Sequence, residues 1–382
     1  MIAPAVVSPS RHAIAAAIGL SVAGVAAFSV LPVMVGAIAD SHGLSASLAG
    51  YVASADLCGF ALAALAAVYW VGRGRLRRAA IVGLVALMVG NLLSLGTPSY
   101  AALLSARLLA GIGAGTVYSV AMSTLARCAA ADRVFGLMIA AQVIFQVMAL
   151  FALPRLAVVW GPSALFLTLG GISVLVSVGI PQFPDFIEGS SERRTTVSAT
   201  RSAWLALAGV ALFTLNLGAL WTYIERIGVS AGLSSPQVGT MLAAALAISV
   251  LGALGASQFG NRFGRRLPLV VAMVGQLVAV VLMTEHANAV AFAIGATLYS
   301  LAWAVAVPYF YGIVASHDQG GRLIVLAPAV QAIGVSLGPL LAASMLRGDS
   351  YLVVNSLSGF ALIGAVACIL AATPRERLQP AP

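Results

Sequence analysis

Long apolar segments separated by short polar breaks recur twelve times along this chain of 382 residues. A helix needs about 20 mainly apolar residues to cross the hydrocarbon core of a bilayer, and the segments are near that length. Charged residues make up 8% of the chain, against about 25% in ordinary soluble domains. The sequence therefore predicts an all-α membrane protein, with twelve transmembrane helices near residues 13–39, 48–71, 79–97, 100–126, 134–154, 162–182, 203–226, 236–259, 268–284, 289–314, 323–346 and 350–372.

The twelve segments form two related halves of six. Gly43-Leu44-Ser45 with Gly50 at the start of the second segment is matched by Gly232-Leu233-Ser234 with Gly239 at the start of the eighth. Internal repeats of this kind are typical of secondary transporters. The one long break is polar, as in a solvated linker. We expect two pseudo-symmetric six-helix bundles over residues 1–182 and 203–382, joined by a cytoplasmic linker over residues 183–202.

Arginine residues are distributed unevenly between the two faces that an even number of spans defines. Sixteen lie in the N-terminal segment, the even-numbered loops and the C-terminal tail, against three on the opposite face, and the chain has no Lys. Cytoplasmic loops of membrane proteins carry the excess of basic residues. We therefore expect both termini in the cytoplasm, and a multi-pass location in a bacterial inner membrane.

Two charged residues fall inside apolar segments of the first half, Asp56 in the second segment and Arg107 in the fourth. At 1.5 Å per residue, each lies roughly 10 to 12 Å inside the external end of its helix, so their equal depth permits an ion pair. The corresponding positions of the eighth segment, Ala245 and Leu246, are apolar. Acids at this depth are candidates for proton relays. We predict that Asp56 couples transport to protons with Arg107 as its charge partner; a permanent ion pair joining the two helices is the alternative.

Polar and aromatic side chains on otherwise apolar segments are the candidates for solute contact. Gln142 and Gln146 share one helix face, as do Tyr299 and Trp303, because each pair is four residues apart,. An aromatic wall suits a ring-bearing or amphipathic solute, whereas amides also join helices, at about 1 kcal/mol or less each. Packing is therefore the alternative for every member of the predicted solute-binding set, which is Gln142, Gln146, Asn216, Trp221, Tyr299, Trp303 and Gln331.

The external end of the seventh segment combines Trp221 with Glu225 and Arg226. Trp and charged side chains favour the headgroup level of a bilayer. Interface anchoring therefore explains all three residues, and a gate at the mouth of the pathway is the alternative.

Motifs of enzymes and of nucleotide or metal sites are weak or lacking. The segment from Gly334 to Gly338 spells G-x-S-x-G, but no strand precedes it as the hydrolase motif requires,. A phosphate-binding loop of the G-x-x-x-x-G-K-[ST] type is excluded by the lack of Lys,. The three Cys residues have no paired spacing,. We expect no enzyme activity, cofactor, metal site or nucleic-acid partner.

A basic loop follows the second segment of each half. The second copy follows the pattern G-x-x-x-D-R-x-G-R-R, with Ser257 in place of the leading Gly and Asn261 at the position of the acid, whereas the first copy has Val71 at the acid position and keeps Gly74 and Arg75. In the fourth segment, Arg107 is followed by closely spaced glycines at Gly111, Gly113 and Gly115. With these motifs the chain resembles the major facilitator superfamily over nearly all of its length. The resemblance implies that Arg107 takes part in proton coupling and that the gating loops include Arg75, Asn261, Arg262, Gly264, Arg265 and Arg266.

Taken together, these features predict a secondary transporter that moves a small organic solute by alternating access. Proton-coupled export of an amphipathic compound is favoured, since the fourth-segment motif resembles that of proton-coupled drug exporters. Proton-linked uptake of a small organic anion, with Arg107 touching the solute carboxylate, is one alternative, and a receptor that binds a solute without moving it is another. The expected partners are the solute, protons and the bilayer, with the protein a monomer.

Overall fold

The computed structural model describes residues 10–70, 76–96, 99–128, 131–161, 163–183, 201–259, 262, 264–284, 287–317, 322–348 and 350–373. Within these residues the chain forms thirteen α-helices and one 3₁₀ helix at Ile180–Gln182, and no strand. The helices are α1 Arg11–Ser29, α2 Leu31–His42, α3 Ala46–Trp70, α4 Leu76–Leu93, α5 Tyr100–Leu125, α6 Ala131–Trp160, α7 Ser163–Ser177, α8 Arg201–Ser230, α9 Ser235–Phe259, α10 Arg266–Leu282, α11 Ala289–His317, α12 Arg322–Met345 and α13 Leu352–Ala372.

The helices have the length and composition of membrane spans. Ten of the described helices are long and apolar enough to cross a bilayer, and α7 and α10 are shorter apolar helices. Each of the twelve predicted segments therefore corresponds to helix in the structure. The predicted fold class, an all-α multi-pass membrane protein with twelve spans, is confirmed.

The first predicted span, 13–39, is not one continuous helix. It is interrupted at Val30, whose φ of −105° and ψ of 10° separate α1 from α2. Pro32 lies in the first turn of α2. A proline cannot donate a backbone hydrogen bond, and its ring clashes with the carbonyl four residues earlier, here that of Phe28. The corresponding helix of the second half, α8, runs unbroken for 30 residues.

The chain divides into two compact units. The first comprises Met1–Leu44 and Tyr51–Glu192, and the second comprises Ser45–Gly50 and Arg193–Pro382. The predicted linker over 183–202 lies, apart from its ends, outside the described residues.

Glycines let α5 approach two neighbouring helices of the first unit. A Cβ atom on Gly111 would lie 1.9 Å from the backbone oxygen of Asp56 on α3, and one on Gly113 would lie 2.4 Å from the backbone nitrogen of Leu87 on α4. Residues four apart share a helix face, so Arg107 lies on the same side of α5 as Gly111. The close crossing therefore presents Arg107 to α3, one turn from the contact point.

The second unit has a glycine crossing of its own between α8 and α12. A Cβ on Gly218 would lie 2.1 Å from the backbone oxygen of Val335, and one on Gly338 would lie 2.4 Å from that of Leu215. Small residues at such positions let transmembrane helix backbones come close enough for extensive van der Waals contact. The spacing of Gly334 and Gly338 therefore serves helix packing, as expected for a chain without a hydrolase fold.

Candidate functional site

The two charged residues predicted to pair in the first unit do form an ion pair. The Nε of Arg107 donates to Oδ2 of Asp56 at 3.2 Å, and Nη2 of Arg107 donates to the same oxygen. The relative exposure of the two side chains is 0% for Arg107 and 4% for Asp56. The predicted proximity is therefore observed, and both groups lie inside the protein rather than against lipid.

A third buried side chain, Asn91 on α4, completes the site. Its Oδ1 accepts a hydrogen bond of 2.8 Å from Nη1 of Arg107, and its Nδ2 donates one of 2.9 Å to the backbone oxygen of Leu87. The ring centroid of Phe166 on α7 lies 5.4 Å from the Cζ of Arg107, within reach of a cation–π interaction. The guanidinium of Arg107 is thus held by side chains from α3, α4 and α7.

This arrangement can exist in two charge states. Removing one partner of a buried ion pair leaves an uncompensated charge and typically costs 3–5 kcal/mol, so Asp56 and Arg107 stabilise each other strongly while both are charged. A proton on Asp56 would cancel that attraction and leave Arg107 with its contacts to Asn91 and Phe166. Among the described residues, no three His, Cys, Asp or Glu side chains lie together as a metal site. The site thus brings one ionisable acid, one cation and one amide acceptor into a single hydrogen-bonded cluster.

A second buried ion pair lies on α8. Nε of Arg226 donates to Oε2 of Glu225 at 2.7 Å, and Nη2 donates to Oε1 at 3.2 Å. Glu225 is 0% exposed and the nearby Trp221 is 4% exposed. Burial against protein means that anchoring in lipid headgroups does not explain Glu225 or Trp221, and that interpretation is wrong for both. Buried charge is accordingly not confined to the first half of the chain.

In the first unit, the predicted solute residues Gln142 and Gln146 are both half-buried on α6. Gln142 lies beside Tyr118 of α5, and its buried Nε2 has no hydrogen-bond acceptor among the described residues. The rings of Tyr118 and Phe60 are 5.5 Å apart between centroids. The first unit thus places an aromatic pair from α3 and α5 beside an amide donor from α6.

In the second unit, Asn216 and Tyr299 meet through a residue that sequence analysis missed. Nδ2 of Asn216 donates to Oε1 of Gln276 at 3.4 Å, and Nε2 of Gln276 donates to the backbone oxygen of Tyr299 at 3.4 Å. All three are buried, with exposures of 0%, 0% and 2% for Asn216, Gln276 and Tyr299. This cluster joins α8, α10 and α11 in the interior of the unit. Oδ1 of Asn216 and the hydroxyl of Tyr299 have no hydrogen-bond partner among the described residues, so solute contact stays a prediction for both beside the packing alternative.

The remaining predicted solute residues lie in different surroundings. Trp303 on α11 is half-buried, and its Nε1 is buried without an acceptor among the described residues. Gln331 on α12 accepts a hydrogen bond of 2.6 Å from the hydroxyl of Tyr311. Of the second unit's predicted set, Trp303 therefore retains an unused buried donor, whereas Gln331 is engaged by a neighbouring helix.

The predicted gating loops are described in part, since Arg75 and Asn261 lie outside the described residues. Gly264 has a φ of +68°, which glycine adopts without strain, and Arg262 is exposed. Nη1 of Arg265 donates to the backbone oxygen of Gly312 at 2.9 Å, and Nη1 of Arg266 donates to that of Thr373 at 3.0 Å. These hydrogen bonds fasten the start of α10 to α11 and to the end of α13, and for Arg266 the position at the carboxyl end of α13 is itself stabilising for a cation.

Comparisons with known proteins agree with this architecture. The Major Facilitator Superfamily matches residues 16–206, about half of the chain. The uncharacterized MFS-type transporter YcaD of Salmonella arizonae is 26% identical over 273 residues, which cover 67% of this chain and 69% of that protein. Among solved structures, a mutant of the nucleoside transporter NupG is similar with a TM-score of 0.75, at 12% identity and over 94% of this chain and 98% of its own. The D-xylose-proton symporter is similar with a TM-score of 0.70, at 15% identity and over 92% and 96% of the two chains.

Proposed function

This chain belongs to the major facilitator superfamily, and from that premise we propose that it is a proton-coupled secondary transporter that exports a small amphipathic organic compound. Members of the family are multi-pass membrane proteins that carry small-molecule solutes across the bilayer. The proposal adds the coupling ion, the direction and the class of solute. The proposal also places the protein in a bacterial inner membrane with both termini in the cytoplasm, which the distribution of arginine supports. It further takes the protein to be a monomer.

The observation that carries the proton coupling is the buried ion pair of Asp56 and Arg107. A charge that serves only to join helices could be replaced by an apolar contact, since buried ion pairs of this kind are often no more stable than hydrophobic side chains of similar volume. Ionisable residues at this depth line ion pathways and proton relays. Protonation of Asp56 would release Arg107 from its anionic partner and so favour a different arrangement of α3 against α5. Protonation would thereby change the relative free energies of the two states between which the carrier alternates, which couples the proton to transport.

The solute class is supported by side chains of the first unit. Gln142 brings an unused amide donor next to Tyr118, and Tyr118 is paired with Phe60. Binding sites for small molecules combine apolar and aromatic walls with a few oriented polar groups. A ring-bearing solute with a hydrogen-bond acceptor fits such a lining.

Proton-linked uptake is the second candidate, because the D-xylose-proton symporter has a similar fold. If Arg107 bound the carboxylate of the solute during uptake, its guanidinium would have to be accessible to that solute. Arg107 is 0% exposed and is already engaged by Asp56 and Asn91. These contacts favour an internal switch over a direct solute-binding arginine.

The test uses purified protein in liposomes and a panel of radiolabelled or fluorescent probes: amphipathic cations, nucleosides, sugars and small carboxylates. Counterflow of at least one probe is expected, because a carrier exchanges labelled for unlabelled solute whereas a receptor only binds it. The direction is read from accumulation of the same probe in energised cells, where expression should lower its internal level. Saturable binding without counterflow would contradict the transporter proposal, and raised accumulation would contradict export.

A further inference from the structure

Asn91 is a neutral residue of the buried site, so attraction between charges does not explain its presence there. Its side chain is fully buried, where an amide is stable only if its polar atoms are paired. Nδ2 is fixed by the backbone oxygen of Leu87 within α4. An amide that uses its nitrogen in this way must direct its oxygen to the other side, and that oxygen accepts from Nη1 of Arg107. The orientation of the acceptor is therefore set by α4 and does not depend on the charge of Asp56.

The acceptor becomes most important when Asp56 carries a proton. In the ionised state, Nε and Nη2 of Arg107 donate to a carboxylate oxygen. In the protonated state the guanidinium keeps its charge but faces a neutral carboxyl, whose remaining acceptor oxygen no longer balances the buried cation. The amide oxygen of Asn91 and the ring of Phe166 are the contacts of Arg107 that do not change when Asp56 takes up a proton.

We propose that Asn91 is a positioning residue of the proton switch, whose amide oxygen holds Arg107 in place while Asp56 is protonated. The inference rests on the proposed proton coupling and adds to it the group that makes the protonated state accessible. Without this acceptor the neutral carboxyl of Asp56 would be the main partner of the buried guanidinium, so Asp56 would take up a proton less readily.

The other groups around the carboxylate in the first unit are few. α5 places one charged side chain against Asp56, that of Arg107, while α4 contributes the neutral Asn91 and α7 the ring of Phe166. The nearest titratable group on α3 itself is Cys58, two residues along and hence on a different face of the helix. The response of this site to pH within the unit is therefore assigned to Asp56.

Two substitutions at Asn91 move the protonation of Asp56 in opposite directions. Asn91→Leu removes the acceptor that the protonated state needs, so protonation should require a pH lower by about one unit, which corresponds to a tenfold weaker proton affinity. Asn91→Asp supplies Arg107 with a second anion and repels the carboxylate of Asp56, so protonation should occur at a pH higher by about one unit. The downward shift in Asn91→Leu is the discriminating result, because a residue that only filled space between helices would leave the midpoint unchanged, whereas the upward shift in Asn91→Asp shows that this position lies beside Asp56.

The experiment is a pH titration of the purified full chain by infrared difference spectroscopy, which detects the carbonyl stretch of a protonated carboxylic acid without any solute. Asp56→Asn identifies the band of Asp56, and the double variant Asp56→Asn with Asn91→Asp identifies any band from the introduced carboxyl. Asn355→Leu is the matched control, because Asn355 is a buried amide of the second unit that bonds to the backbone oxygens of Val280 and Met283. We expect a lower midpoint for Asn91→Leu, a higher one for Asn91→Asp and an unchanged one for the control.

The outcomes separate this inference from the proposed function. A band of Asp56 whose midpoint is the same in wild type and in Asn91→Leu would overturn the role of Asn91 and leave proton coupling intact, whatever the midpoint of Asn91→Asp. No titrating band of Asp56 in the wild type would overturn both. If Asn91→Leu does not fold, Asn91→Ala, which removes the same acceptor and leaves a smaller side chain, is titrated in its place, and an unchanged midpoint there would overturn the role of Asn91.

Discussion

The close crossing of α3 and α5 makes Gly111 the most sensitive position of the first unit. In Gly111→Ala, the added Cβ would lie 1.9 Å from the backbone oxygen of Asp56, whereas real Cβ atoms essentially never come within 3.0 Å of another heavy atom. The two helices would have to separate by about 1 Å, because the obstacle is a backbone atom that cannot turn away. Overpacking of this kind typically costs 1–3 kcal/mol. The separation also pulls Arg107, one turn away, from its carboxylate.

Gly171→Ala on α7 is the matched control, since a Cβ there would have no heavy atom within 4 Å. Alanine is favoured over glycine inside a helix by about 1 kcal/mol, so this variant should be as stable as the wild type or slightly more stable. The free energy of unfolding, measured by titration of detergent-solubilised protein with SDS and followed by tryptophan fluorescence, should be lower for Gly111→Ala than for Gly171→Ala by about 2 kcal/mol. Equal unfolding free energies for the two variants would refute the described helix crossing.

Four further substitutions probe other parts of the account, three by the same unfolding assay and one by hydrogen exchange. Asp56→Asn and Arg107→Gln should each lower the free energy of unfolding by about 3–5 kcal/mol. The double variant should lower it by less than the sum of the two single effects, and strict additivity would mean that the two side chains do not interact. Gln276→Leu should cost about 1–3 kcal/mol, because it leaves the buried amide of Asn216 without its acceptor, and a neutral effect would show that the second unit's polar cluster is not a structural tie. Pro32→Ala should restore a backbone donor and slow hydrogen exchange around the break between α1 and α2, and unchanged exchange there would assign the break to another cause.

The pairing of Asp56 with Arg107 could be predicted because their equal depth in the membrane can be read from the sequence. The rise per residue of a helix is constant, so two residues at similar distances from the same membrane face are at the same level. Charges at that level are also rare, which leaves few alternatives. The contact then required only that the two helices be neighbours, and the glycines after Arg107 allow it.

The contacts of Asn91 and Gln276 could not be predicted from the sequence in the same way. Amides are frequent in transmembrane helices, and their contacts depend on how each helix is rotated about its axis, which short apolar segments do not specify. The break at Val30 had a local signal in Pro32, but transmembrane helices also continue through proline, as α6 does through Pro154. Burial of Glu225 depends on packing around the end of α8, which the charge pattern of the sequence does not encode.

The most direct test of the central claim is the movement of protons driven by a solute gradient. Wild-type protein and Asp56→Asn are reconstituted in liposomes that contain a pH-sensitive dye, and a probe that shows counterflow is added on one side. Asparagine imitates the neutral, protonated acid, so the variant should still exchange labelled for unlabelled probe but should move no protons, whereas the wild type should change the internal pH as the probe crosses. Proton movement by Asp56→Asn in the wild-type ratio to solute would contradict the assignment of Asp56 as the coupling residue.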